Sequence, residues 1–462
     1  MYFEDTIVAP ITPPGTGAVG IVRLSGPAAF SIVKLIWTPL GGAIPNGAAA
    51  RVLRLGEIRD PRGGAGIDRA MAVFFPQPKS FTGEDVAELH CHGGAYLIRR
   101  VAGLAVAAGA RLAERGEFTR RAFLNGRIDL TEAEAIRDLI EARGERALTL
   151  ALGQLNGALA VRVDGLRGQV LAIRAHLEAE IDFSDEDLKL PSRAQIAAEI
   201  EALIEDVAAL HATFDRGRIA REGIRAAIIG RPNVGKSSIL NLMLGIERAI
   251  VTPIPGTTRD VIEDTLQLGG YPVVLQDTAG IREAGDQVER IGIERALERA
   301  RDADLLIAVF DSSEALQADD FRVMELLANR AGIALLNKSD LPPSASERQF
   351  NDRGVTAPII RFSALRAQGV DELRDAILHQ IEAATGEGLT DTVAISRERH
   401  REALARAIEL LRSARQAALD GMPPEIVAVE VTLASEALTA ITGAVDSEDV
   451  LDVIFREFCI GK

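Results

Sequence analysis

The sequence predicts a multidomain chain. An α+β N-terminal domain is followed by an all-α helical domain, and a Ras-like α/β phosphate-loop domain is inserted between the halves of the helical one. Three observations predict this. Gly230-Arg231-Pro232-Asn233-Val234-Gly235-Lys236-Ser237 fits G-x-x-x-x-G-K-[ST] between a strand pattern and a helix pattern. Apolar residues recur every three or four positions on both sides of that region. Before them, short apolar runs alternate with Pro/Gly-rich turns.

Residues 1–118 form the expected first domain. Thr6 to Ala9 and Gly20 to Leu24 read as strands around the turn Pro13-Pro14-Gly15-Thr16-Gly17. Arg51 to Leu55 and Ala70 to Phe75 are further strand candidates. The run His90-Cys91-His92 raises a metal site. In a strand, however, the two histidines share one face and Cys91 points away, and no other Cys/His cluster completes a tetrahedral set.

The first helical half is expected over 119–215. Leu148, Leu152, Leu155, Leu159, Val163, Leu166, Val170, Ile173, Leu177 and Ile181 mark one face of a long helix or helix pair. Gly153, Gly157, Gly165 and Gly168 are the places it can break. A second amphipathic helix covers roughly Ala194 to Phe214 and ends near Arg216-Gly217-Arg218.

The phosphate-loop domain is expected over 216–382. Ile224 to Ile229 is a buried strand candidate, and Ser238 to Leu244 reads as a helix. Strand, glycine-rich turn and helix N-terminus make an anion site of inward N–H groups. Lys236 would meet the terminal phosphates and the Ser237 hydroxyl would hold Mg²⁺. Three later stretches narrow the nucleotide. Asp277-Thr278-Ala279-Gly280 follows a strand pattern; its carboxylate suits the Mg²⁺ shell and its glycine lets an N–H approach the γ-phosphate. Asn337-Lys338-Ser339-Asp340 follows another; a carboxylate there accepts the paired N–H donors of a guanine edge, which adenine lacks. Ser363-Ala364-Leu365 would support the base through backbone groups. Each short motif alone is common. Four in this order, each after a strand, point to GTP.

Helical patterns resume over 383–462. Leu404, Ile408 and Leu411 form one stripe, and Ile426, Val429, Leu433, Ala437 and Ala440 another. Ser447 is positioned to cap a last helix through Val450, Ile454 and Phe458.

Composition sets the surroundings. The hydrophobic fraction of 47% over 462 residues allows several cores. No stretch is apolar and long enough to span a bilayer, and the acidic start Met1-Tyr2-Phe3-Glu4-Asp5 is unlike a signal peptide. Two cysteines suit a reducing cytoplasm rather than a disulfide framework. A net charge of −15 argues against a generally basic, nucleic-acid-coating protein and leaves room for a local basic patch. Cys459, near the end and close to Lys462, is the one candidate for thiol chemistry; the alternative is a small packed hydrophobe.

Further motifs make a resemblance specific. They are Ala18-Val19-Gly20-Ile21-Val22-Arg23-Leu24-Ser25-Gly26, Phe81-Thr82-Gly83-Glu84-Asp85, Gly116-Glu117-Phe118-Thr119-Arg120-Arg121-Ala122-Phe123-Leu124-Asn125, Pro255-Gly256-Thr257-Thr258-Arg259-Asp260, and the terminus Phe458-Cys459-Ile460-Gly461-Lys462. From end to end the chain resembles the tRNA modification GTPase family called MnmE or TrmE.

The resemblance implies a folate-binding, dimerising N-terminal domain, a homodimer, and a flavoprotein partner (MnmG or GidA) in a heterotetramer or larger assembly. It implies GTP-dependent addition of an aminomethyl-type group, such as carboxymethylaminomethyl, to carbon 5 of the wobble uridine of certain tRNAs. A formyl- or methylene-tetrahydrofolate would be the one-carbon donor, with Arg23, Glu88, Arg127 and Lys462 at the contacting positions. Ile281 stands where Ras-like proteins carry a water-orienting Gln, so the resemblance passes that role to Glu289 through a water network. It also places K⁺ where an arginine finger's charge would sit, when two nucleotide domains meet. Asn233 would supply a side-chain oxygen, and Thr252, Ile254 and Thr257 backbone oxygens, from the loop Thr252-Pro253-Ile254-Pro255-Gly256-Thr257-Thr258. Thr258 would join Ser237 on Mg²⁺. Two other readings share the nucleotide motifs: an RNA-binding GTPase of ribosome assembly, and a nucleotide switch without modification chemistry. The N-terminal motifs and the tail separate them from the leading one.

Overall fold

The structure is a computed structural model that describes residues 4–41, 51–63, 66–183, 190–247, 264–277, 303–385, 393–443 and 448–462. The chain divides into two compact units. The described residues of the first fall in 1–137 and 439–462, and those of the second in 138–438.

The first unit is built on a seven-stranded sheet: β1 (Ile7–Pro10), β2 (Val19–Ser25), β3 (Trp37–Pro39), β4 (Arg54–Arg59), β5 (Gly66–Phe75), β6 (Val86–His92) and β7 (Arg111–Leu112), in the spatial order β3-β4-β5-β6-β2-β1-β7. One face packs on the helices Ala29–Ile36 and Ala95–Ala107 through Val22, Leu24, Leu89, Cys91 and Trp37. The period-two alternation of β6 therefore buries Cys91 and turns His90 and His92 away. Burial, then the nearby Asp68 charge, pushes the Cys91 thiol up to about 12, so it packs as an inert hydrophobe. The expected strand at Arg51 to Leu55 lies three residues further on. Pairing with β5 decides this: Leu55 faces Met71 and Ile58 faces Asp68. Upstream, Val52 and Leu53 stay half exposed and Arg51 has a φ of 65°.

A buried charge cluster ties the chain's start to the helix Glu117–Leu124. Arg121, fully buried, donates to Asp5 at 2.7 Å and to Glu117 at 2.9 Å, and reaches both Glu84 oxygens at 3.3 Å. Ser25 donates to Glu84 at 2.6 Å. Arg111 closes the other side of Asp5 and Glu117 at 2.7 Å each. The helices Leu130–Glu141 and Glu448–Arg456 complete the unit, with Leu130, Ala133, Leu451, Phe455 and Phe458 in one cluster. The last helix stops before Phe458, which nevertheless packs against Phe455 with ring centroids 5.6 Å apart. Its expected cap, Ser447, lies outside the described residues.

In the second unit the apolar periodicity gives a helix pair, Glu145–Leu155 and Ala158–Asp182. The break falls at Gly157, whose φ of 80° a side chain resists. The next helix is Arg193–His211, opened by a capping box on Ser192 and Gln195. Where the sequence suggested an end near Gly217, a further helix, Phe214–Glu222, follows instead. Gly217 is a close-approach residue: an added Cβ would meet the Ile395 carbonyl at 2.2 Å.

A six-stranded sheet carries the phosphate loop. Its strands are β8 (Ile224–Ile229), β9 (Asp264–Leu268), β10 (Tyr271–Asp277), β11 (Leu305–Asp311), β12 (Gly332–Asn337) and β13 (Ile359–Arg361), in the order β13-β12-β11-β8-β10-β9. All pair in parallel except the edge strand β9. Both faces are covered, one around Ile228, Val273, Ile307 and Ile377, the other around Ala308, Phe310, Met324 and Phe350. The order reverses beside β8, so the crevice beyond its carboxyl end is the switch point where open α/β sheets take ligands. Among the described residues no helix is long and apolar enough to cross a membrane.

Removing Arg121 leaves Asp5 and Glu117 to Arg111 alone and leaves Glu84 with the Ser25 hydroxyl. Arg121→Met is expected to lower unfolding stability in urea by about 3–5 kcal/mol. Burial raises Asp5 and Glu117, but the arginine hydrogen bonds outweigh it and hold both carboxyls low. Their contribution is therefore complete above the ordinary carboxylate range and lost as pH falls through the depressed values. A variant as stable as the parent, with the same acid profile, would contradict this.

Candidate functional site

The phosphate loop leaves β8 at Gly230 and enters the helix Lys236–Glu247. Two of its glycines are fixed by geometry. Gly230 has a φ of 151° and lies so close to β11 that a Cβ would meet the Val309 carbonyl at 2.3 Å. Gly235 has a φ of 103°, and a Cβ there would meet the Asn337 amide nitrogen at 2.2 Å. Asn233 is exposed with a φ of 61°, a conformation that Asn tolerates better than most residues. Val234 is buried, while Ser237 and Ser238 lie exposed in the first helical turn. Lys236 donates to the carbonyls of Gly230 at 2.9 Å and Arg231 at 2.7 Å, so its ammonium caps the loop. From outside, Arg231 holds the loop to buried Asp320 at 2.8 Å.

The later motifs meet this loop through one side chain. Asn337, 2% exposed at the end of β12, donates its amide to the Val234 carbonyl at 2.7 Å. Its carbonyl oxygen accepts from the Ala364 N–H at 3.1 Å. Ser363 donates to Asp340 at 2.6 Å, and that bond holds the Asp340 carboxyl below its usual range. Ser339 N–H donates to the Phe362 carbonyl at 3.1 Å. Lys338 has a φ of 59° and its ammonium sits 2.5 Å from buried Asp311. Leu365 is 86% exposed, so its contribution to a site is its backbone. Asp277 ends β10 opposite Ile228 of β8, which sets its backbone beside the phosphate loop's parent strand.

The structure thus brings together Asn233 to Ser238, Asn337 to Asp340 and Ser363 to Leu365. Thr252 to Thr258, Thr278 to Gly280, Ile281 and Glu289 lie outside the described residues, as does the Asp277 side chain. The parts in view fit a nucleotide and its Mg²⁺: a glycine-bearing turn that opens a helix N-terminus, one ammonium, a hydroxyl at the helix start, and an oriented carboxylate for a base edge. For K⁺, only Asn233 can be placed, and its exposed side chain is compatible.

A second cluster forms in the first unit. Arg23 of β2 and Glu88 of β6 are register partners, and Arg23 donates to Glu88 at 2.8 Å. His90 lies 3.2 Å from the other Glu88 oxygen. The Arg23 guanidinium sits 5.5 Å from the Phe81 ring centroid and 5.7 Å from that of Phe118. The tail comes to the same place. Phe118 N–H donates to the Lys462 carbonyl at 3.2 Å, Gly116 N–H to the Cys459 carbonyl at 3.4 Å, and Arg115 bridges to Ile460. Burial, then the Arg23 charge, lowers the Lys462 ammonium. Cys459 is exposed and its thiol is free. Arg127 packs its stem on the loop at Gly83. Three cations, a carboxylate and two aromatic rings suit a flat ligand with anionic ends. The Arg121 cluster behind them was missed by sequence reasoning; the only signal was the density of charge in Gly116 to Asn125.

Residues 6–127 match the model described as GTP-binding protein TrmE N-terminus, and residues 130–459 that of the MnmE helical domain. A tRNA modification GTPase MnmE from Heliobacterium modesticaldum is 44% identical over 99% of both chains. One from Syntrophotalea carbinolica is 44% identical over 100% of both. Solved structures match in part. The G domain of the T. maritima FeoB iron transporter is 25% identical, over 34% of this chain and 98% of that one, with a TM-score of 0.26. An Aquifex aeolicus Era variant is 25% identical, over 40% and 66%, with a TM-score of 0.27.

Asp340→Asn removes the charged acceptor without altering the fold around Ser363. It is expected to weaken GTP binding by more than tenfold, about 1.4 kcal/mol. Isothermal titration with GTP measures this, and an unchanged affinity would mean that Asn337 to Asp340 does not read the base.

Proposed function

The chain belongs to the MnmE (TrmE) family of tRNA modification GTPases, and on that premise we propose that it hydrolyses GTP to drive modification of carbon 5 of a tRNA wobble uridine. The product carries an aminomethyl-type group such as carboxymethylaminomethyl. The reaction is shared with an MnmG (GidA) flavoprotein, takes its carbon from a tetrahydrofolate, and takes place in the cytoplasm. The observation that carries this reading is the seating of the tail. Cys459 to Lys462 lie along Gly116 to Phe118, beside Arg23 and Glu88, in the unit that holds no phosphate loop.

Each residue then has a task. Lys236 and the loop N–H groups hold the phosphates, and Asp340 holds the base. Ser237 and Thr258 would hold Mg²⁺, which would offset phosphate charge. Asn233 with Thr252, Ile254 and Thr257 would hold K⁺, whose charge would stand in for an arginine finger, and Glu289 would orient water in place of Ile281. Arg23, Arg127 and Lys462 pair with folate carboxylates, while Glu88 accepts from its ring N–H groups. Cys459 is the candidate thiol. A homodimer is supported by exposed apolar residues on the sheet face away from the helices. Leu55 pairs with Met71 across that face, and with Val19 both stay more than a third exposed.

One comparison tests the division of labour. GTP turnover is measured in K⁺ and in Na⁺ at matched ionic strength, for the full chain and for a chain lacking Cys459 to Lys462. Turnover is expected to rise strongly with K⁺ and little with Na⁺, equally in both chains, while uridine modification is lost only in the shortened one. Equal turnover in the two salts would remove the potassium role. Modification at the full rate without the tail would remove the tail from the reaction. Cys459→Ser then separates thiol chemistry, with modification lost, from binding through Lys462, with modification kept.

A further inference from the structure

We propose that an arginine-lined cleft beside the helix Glu117–Leu124 is a subsite for backbone phosphates of the RNA substrate. The proposal rests on the tRNA reading above and adds to it where the RNA is held. The cleft has a volume of about 300 Å³ and lies wholly within the first unit. Five arginines line it: Arg111, Arg115, Arg120, Arg121 and Arg456.

The five fall into two groups. Arg111 and Arg121 are matched by Asp5, Glu84 and Glu117 in the structural cluster already described. The outer three are not matched in this way. Arg120 and Arg456 share one carboxylate, Asp452, at 3.4 Å and 3.5 Å. A well-formed guanidinium–carboxylate bond is about 2.7–2.9 Å. The Arg120 Nε is buried and has no hydrogen-bond partner among the described residues. Arg115 is exposed and makes no ion pair among the described residues; Glu114 lines the rim beside it, and the half-exposed Asp5 belongs to the inner cluster. The outer three guanidiniums thus share Asp452 and Glu114, and the one carboxylate that pairs with them does so at long range.

Such a group takes phosphate well, because a guanidinium offers paired donors to two oxygens. It also answers a problem of charge. At −15 the chain repels a polyanion overall, so RNA binding needs a local cationic site. The location favours RNA over a small free anion. Arg456 is 79% exposed, so the cleft opens onto a strand passing across it. Arg115 bridges directly to Ile460, next to Cys459 and three residues after Glu457. An RNA strand held by its phosphates in the cleft runs past the tail, where the modification chemistry is placed.

The test is tRNA binding by the full chain across a salt series. Neutralising both exposed rim cations, as Arg115→Gln with Arg456→Gln, is expected to weaken binding about tenfold near 0.1 M salt. The slope of log affinity against log salt should shrink by about 0.7–0.9 for each phosphate that is no longer neutralised. Asp452→Asn removes the competing carboxylate and is expected to tighten binding, a sign that misfolding cannot produce. Unchanged affinity and slope in both variants, or weakening in both, would overturn the proposal. Calorimetry with inorganic phosphate separates the sources: a tight site for the free ion, with tRNA affinity indifferent to the substitutions, makes it a small-anion site and overturns the RNA assignment. A parent chain that binds no tRNA at any salt sinks the tRNA reading itself, and this proposal with it.

Discussion

The nucleotide domain depends on one buried amide. Asn337 stands at the end of β12 with its NH₂ on the Val234 carbonyl and its carbonyl on the Ala364 N–H. A single side chain therefore sets the distance between the phosphate loop, the Asn337 to Asp340 stretch and the loop after β13. The constraint works in both directions. Gly235 must be a glycine because the Asn337 amide fills the space a Cβ would need. Left without partners in a buried site, those backbone groups would each cost about 1–3 kcal/mol. The cost makes the arrangement specific: any rotation of one loop breaks its bond to the other two.

The first unit has a comparable centre in Arg121, but with another consequence. There, a buried cation draws Asp5, Glu84 and Glu117 inward and stiffens the strip from Gly116 to Phe118. The chain terminus lies along that strip. The rigid inner charges hold the tail in place, and the poorly matched outer ones face solvent. Burial rather than residue type thus separates the arginines of the structural cluster from those for which phosphate binding is proposed.

Much of the nucleotide domain was legible because its signals are local. The phosphate loop, the strand ends and the stretch Asn337 to Asp340 are contiguous, and each carries its own turn chemistry. A break in the long apolar stripe was open from the sequence, but not which of its four glycines makes it: Gly153, Gly165 and Gly168 stay helical. What could not be read depends on distant partners. The register of β4 was set by Met71 and Asp68 of β5, not by the apolar run at Val52 and Leu53. Gly217 reads as a helix end until the backbone at Ile395 is seen pressed against it. The seating of Cys459 to Lys462 joins residues more than 300 positions apart in the sequence, and no spacing rule reaches that far. Only the resemblance to a family pointed there. The charge cluster at Arg121 hid in a motif whose residues look like an ordinary solvated helix.

The central claim is that this chain's nucleotide chemistry serves tRNA modification. The nucleosides of tRNA from cells lacking the chain, separated and weighed by mass spectrometry, test it most directly. The account predicts that C5-substituted wobble uridines disappear, return with the intact chain, and do not return with Lys236→Ala. A tRNA profile that is the same with and without the chain would contradict it.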